Sequence, residues 1–243
     1  VAWRRLSWSL IQVRWVAVVS AIFFLLLNDR FHLAGEWVVG GFEAKGIAYF
    51  FVLMALGSMV KRDWIWVWPF LGAASAFHVL VGGWSFLAAM FAWIGAELAT
   101  GNRKSGSSTK EIMAQCFPFA AGIALALIGA IPPLLADRSA PPEIAIAARS
   151  IYVNHRIAHH LTFDAFPALS VARFVLVIVF CYLLTRWLAF RWNPMYRKMQ
   201  PLFLFGLGSL CISFGGLLLS GLAEQNDQLA QISEGLLRFY WFR

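Results

Sequence analysis

The chain is poor in charge. Asp, Glu, Lys and Arg together make up 13% of its 243 residues, whereas an ordinary soluble domain has roughly a quarter. That deficit excludes a surface solvated by water over its whole area. Acids are the scarcer sign, 12 against 20 Lys and Arg, for a net charge of +8. Cysteine is also scarce: Cys116, Cys181 and Cys211 lie in apolar runs with no CxxC spacing, which excludes a disulfide framework or zinc knuckle and leaves them as small hydrophobes. No P-loop spacing surrounds the Ser-Gly-Ser-Ser stretch at 105–108, and no internal repeat or self-sufficient soluble domain is visible. No motif implies a cofactor or a metal.

Apolar residues dominate instead. They make up 60% of the chain, with mean hydropathy +0.70, 12 Trp and 22 Phe. Such a composition predicts an all-α polytopic membrane helix bundle, a single transmembrane domain over 1–243 with the lipid bilayer as its partner. The positive charge then belongs to short loops between spans, and nucleic acid is not an expected partner. Val1 in place of Met, and the aromatic-basic cluster Arg238-Phe-Tyr-Trp-Phe-Arg243, lead to the expectation of a piece of a longer chain with another span beyond Arg243. Such clusters flank the mouths of spans.

Seven apolar segments stand out: Ser9 to Leu27, Ile47 to Val60, Trp64 to Phe77, Val79 to Ala99, Cys116 to Ala136, Ala168 to Phe190 and Pro201 to Leu222. A helix of about 20 residues crosses a hydrocarbon core of roughly 30 Å. Five segments meet that length, while the second and third reach only roughly 21 Å. Trp64, Trp66 and Trp68 extend the third into the interface. Between the third and fourth, the stretch from His78 to Trp84 predicts a hairpin built on Gly82-Gly83 and recessed from bulk water.

With the N-terminus cytoplasmic, the inside segments carry Arg4-Arg5, Lys61-Arg62, Arg103-Lys104 with Lys110, and the cations from Arg186 to Lys198. The opposite loops hold most of the acids. This follows the positive-inside rule and makes 101–115 a flexible cytoplasmic connector. Of the intramembrane charges, Arg14 and Glu97 lie near the cytoplasmic ends of their spans, where snorkelling explains them.

The outer loop 137–167 opens with Pro141-Pro142-Glu143, a helix-start signal. Ile144, Ala147, Ala148, Ile151 and Ala158 recur at three- and four-residue spacing. Glu143 to His160 is therefore expected to form an amphipathic helix lying in the outer interface. All five histidines, His32, His78, His155, His159 and His160, fall in outward segments. On a helix His155 and His159 share one face, with Arg156 and His160 on the next. A metalloprotease HExxH is excluded because Arg156 stands where Glu is needed. Guanidinium and imidazolium donors beside one another match an anion, above all phosphate. His78, His155, Arg156 and Arg173 are thus candidate substrate-binding residues around one outer cavity. Asp164 is the candidate base, with His159 and His160 as catalytic partners. A histidine-bearing interfacial loop without chemistry accounts for the same residues, and His78 then simply caps its hairpin.

Three stretches, His78-Val-Leu-Val-Gly-Gly-Trp84, His159-His-Leu-Thr-Phe-Asp164 and Arg238-Phe-Tyr-Trp-Phe-Arg243, resemble those of a family of uncharacterised bacterial multi-pass inner-membrane proteins. That family is in turn broadly similar to C-type glycosyltransferases, membrane enzymes that use polyprenyl-phosphate sugars. The resemblance implies a lipid-linked sugar as substrate and an acid in the first outer loop, for which Asp29, Glu36 and Glu43 are the positions present. Alternatives from other classes are a transporter for an anionic substrate and a noncatalytic membrane assembly subunit.

Overall fold

The computed structural model describes residues 1–31, 43–100, 109–156, 166–223 and 226–235. These form α1 (Ala2–Leu10), α2 (Arg14–Phe31), α3 (Ala44–Val60), α4 (Trp64–Phe77), α5 (Val79–Thr100), α6 (Thr109–Ser139), α7 (Pro142–Ile151), α8 (Ala168–Arg191), α9 (Asn193–Ala223) and α10 (Asp227–Gly235), with a π-helical turn, Tyr152–Arg156, after α7. No strand occurs among the described residues. Four helices are long and apolar enough to cross a membrane, on Val79–Leu98, Cys116–Ala136, Ala168–Arg191 and Asn193–Leu222. This is an all-helical protein with the helices of an integral membrane protein.

Charge and backbone chemistry set the helix limits. The third apolar segment is α4 residue for residue, bounded by Asp63 and His78. The α3–α4 turn is closed by the N–H groups of Lys61 and Asp63 donating to Ser58 O, each at 3.0 Å, and that of Arg62 to Met59 O at 2.9 Å. Arg62 takes φ 56° there, the left-handed position that most helix ends give to glycine.

Small residues bring the central helices together. Their buried centre joins Ala48, Val52, Ala55 and Met59 of α3 to Val67, Trp68, Leu71 and Ala74 of α4 and to Ala89 and Ala92 of α5. A Cβ on Gly122 of α6 would stand 2.6 Å from the Trp68 carbonyl oxygen of α4. Gly129 meets Ser75 in the same way, so α4 and α6 run parallel, backbone against backbone, as small-residue membrane interfaces do. On the other side of α5, Gly208 of α9 faces Ala88 and Phe91 while Gly95 faces Leu204, which makes that pair antiparallel.

Two expectations are corrected. Gly82 and Gly83 are not in the hairpin turn; both lie in α5, and a Cβ on Gly82 would strike the backbone of Ser75. Glycine is needed there for approach, and the turn is made by His78 alone, in extended conformation. The first apolar segment is not one long span. The chain breaks at 11–13, and α1 folds back along α2, with Trp3 stacked on Phe24 at 4.3 Å and its Nε1 donating to Ser20 Oγ at 3.0 Å. Its apolar remainder, Arg14–Asn28, is a shorter apolar helix. Arg5 of α1 reaches α3 and α4: its Nη2 donates to Ser58 Oγ at 3.1 Å and its guanidinium lies 5.5 Å from the Phe70 ring centre.

The outer helices bury little. The most apolar stretch of α8 has 0% of its residues buried, and that of α6 only 6%. Surfaces this apolar and this bare are stable when hydrocarbon covers them.

Candidate functional site

Alternation of the helices gives the bundle two ends. One collects the C-termini of α2, α4, α6 and α9 with the start of α8, and the other collects the α3–α4 turn with the end of α5 and the starts of α6 and α9.

At the first end, α7 stops at Ile151 and the chain winds one π turn to Arg156. Of the stretch expected to be helical, 143–151 is α-helix and 152–156 the π turn, and 157–160 lies outside the described residues. Ile144 and Ile151 are 61% and 59% exposed, and Ala147 and Ala148 are exposed with them. Ala145 and Val153 are the buried residues of this segment. The predicted apolar stripe thus faces away from the protein. The π turn is tied to α10 by Asn154 Nδ2, which donates to Glu234 Oε1 at 2.8 Å and to Ser150 Oγ at 3.2 Å. Asn226 caps α10, its Oδ1 accepting from the N–H of Gln228 at 2.9 Å.

His155 and Arg156 are exposed, and the Arg156 guanidinium lies 5.5 Å from the Tyr152 ring centre. A cation held over an aromatic face keeps its charge while losing side-chain freedom. Arg173, near the start of α8, makes a long hydrogen bond of 3.4 Å to Arg30 O at the end of α2. His78 is partly buried, and its Nδ1 accepts from the N–H of Val81 at 3.3 Å. That bond satisfies an orphan donor at the start of α5, which is what a helix cap does. In the first and second turns of α5, Val81 and Trp84 line a 160 Å³ cavity with Tyr49, Ser209 and Ser213.

His159, His160 and Asp164 lie outside the described residues, as do His32, Glu36, most of the connector 101–115 and the terminal aromatic cluster. Glu43 is exposed just before α3.

Sequence reasoning missed a cavity at the second end. It measures about 440 Å³ and lies between the α3–α4 turn, α5 and α6. Arg62, Asp63 and Trp64 form one wall, and Trp93 and Glu97 of α5 with Phe119 of α6 form the other. Trp68 closes the inside, its ring 89° to Trp93 and 85° to Phe119 at centroid distances of 6.0 and 5.0 Å. Arg62 Nη2 donates to Gln200 Oε1 at 2.9 Å. The available signal was the repeated four-residue spacing of Trp64 with Trp68 and of Trp93 with Glu97, which puts each pair on one helix face.

No family model, curated protein or solved structure matches this chain.

Proposed function

We propose that the protein is a seven-crossing membrane protein, with α2 to α6, α8 and α9 as the spans, that binds the phosphate headgroup of a lipid at the end bearing α7. In this reading the N-terminus is cytoplasmic, the membrane is a bacterial inner membrane and α7 lies in its outer interface. Positive-inside loops support the orientation. The observation that carries the headgroup reading is the division of labour along 142–156. Ile144 and Ile151 turn their apolar surface outward, while the adjoining π turn presents His155 and a ring-supported Arg156. An apolar face next to a cationic tip suits a segment at headgroup depth. Single π turns within helices are frequent at functional sites.

The chemistry that follows is transfer of a sugar from a polyprenyl-phosphate carrier. The acceptor hydroxyl attacks the sugar carbon as its bond to phosphate breaks; Arg156 and His155 neutralise the leaving phosphate, and Asp164 takes the acceptor's proton with His159 and His160 as its catalytic partners. Donors already in place stabilise developing charge without reorganising.

The test uses the full chain in nanodiscs containing polyprenyl phosphate. Arg156→Gln should lose retention of that lipid relative to phosphatidylglycerol, at unchanged protein level. His159→Ala with His160→Ala should retain the lipid but form no glycan product in cells. Unchanged products in the double variant would replace the enzyme with an assembly subunit.

A further inference from the structure

We propose that the aromatic cavity at the end opposite α7 binds a zwitterionic phosphoester of an amino alcohol, a phosphoethanolamine-type group. About 440 Å³ is within the range of small-molecule sites. The cavity's two walls differ in kind. On α5 and α6, Trp93, Phe119 and Glu97 offer ring faces and a carboxylate, and the perpendicular setting of Trp93 and Phe119 against Trp68 makes a floor with two sides. Ring faces with a nearby carboxylate are the recognition chemistry of an ammonium group.

The wall at the α3–α4 turn sets the guanidinium of Arg62 beside a second carboxylate, that of Asp63. Arg62 is fixed in a left-handed turn and its guanidinium is held at the rim by Gln200. The indole Nε1 of Trp64, on the same wall, is buried without a hydrogen-bond acceptor. That nitrogen is closed off from the cavity, so Arg62 is the donor on this wall that a phosphate oxygen would meet. Carboxylates and ring faces that attract a cation, together with one guanidinium that attracts an anion, line a single cavity and fit one ligand that carries both charges. The proposal concerns a different end and a different charge pattern from the lipid-phosphate site near α7, and stands without it.

Cys116 lines the same cavity and is exposed, so it reports occupancy directly. In the full chain carrying Cys181→Ala and Cys211→Ala, alkylation of Cys116 by N-ethylmaleimide should be slowed saturably by phosphoethanolamine. Propyl phosphate, which replaces the ammonium by methyl, should not slow it. Glu97→Gln should weaken protection about tenfold, and Asp63→Asn serves as a second carboxylate variant if the first fails to fold. Nanodiscs identify the source: protection in phosphatidylethanolamine but not phosphatidylglycerol assigns a membrane lipid, and protection by the free ester alone assigns a soluble one. Equal protection by propyl phosphate, protection indifferent to both carboxylate variants, or no protection by ester or lipid would overturn the proposal.

Discussion

Gly72 of α4 lies directly against the backbone of Gly122 of α6, with no room for a side chain on either residue. This contact fixes the spacing of the two helices and, through it, the position of Trp68 and Phe119 at the cavity. Gly122→Ala would place a methyl 2.6 Å from the Trp68 carbonyl oxygen and force the helices apart. A loss of about 2 kcal/mol is expected, typical of overpacking, read as lowered thermal stability of the detergent-solubilised chain. Gly206→Ala is the matched control, because nothing lies within 4 Å of its Cβ position. It should be neutral or gain up to about 1 kcal/mol from helix propensity.

Ser58 is 0% exposed and accepts from Arg5. Ser58→Ala removes the acceptor and leaves the guanidinium with the Phe70 face. The expected cost is about 2 kcal/mol, the range for hydrogen bonds to charged groups, seen in the same unfolding measurement. Ser9→Ala, which removes only a hydroxyl bonded to Leu6 O one turn earlier in α1, should change stability by less than half of that.

Particular residues explain how much was legible in advance. Charged or polar residues bound the apolar runs, so the extents of α4 and α5 and the course of α8 were readable from sequence. The break at 11–13 was not, because no Pro or Gly marks it; it exists through the contacts of Trp3 with Ser20 and Phe24. Gly82 was misread because a glycine that permits a turn and one that permits close packing look alike in a sequence. The 440 Å³ cavity draws its walls from three helices and a turn, and such a convergence is created by tertiary packing. Of the candidate site residues, His155 and Arg156 are exposed in the π turn, while His78 serves as the cap of α5.

Glu234 holds the π turn to α10 through Asn154. Glu234→Ala should free the segment around Arg156, and limited trypsin digestion in nanodiscs should cleave after Arg149 or Arg156 several-fold faster than in the parent chain. Glu234→Gln keeps a carbonyl acceptor and should leave the rate nearly unchanged. Equal cleavage of all three proteins would show that the contact does not restrain the turn.

Lys61 and Ser139 are exposed at opposite ends of the bundle, in the α3–α4 turn and at the end of α6. In the proposed seven-crossing arrangement these ends lie on opposite sides of the membrane. Lys61→Cys and Ser139→Cys, each in a chain whose native cysteines are replaced by alanine, can be labelled with a membrane-impermeant maleimide in intact cells and again after permeabilisation. Ser139→Cys should react in intact cells and Lys61→Cys only after permeabilisation. Labelling of both from the same side would contradict the account.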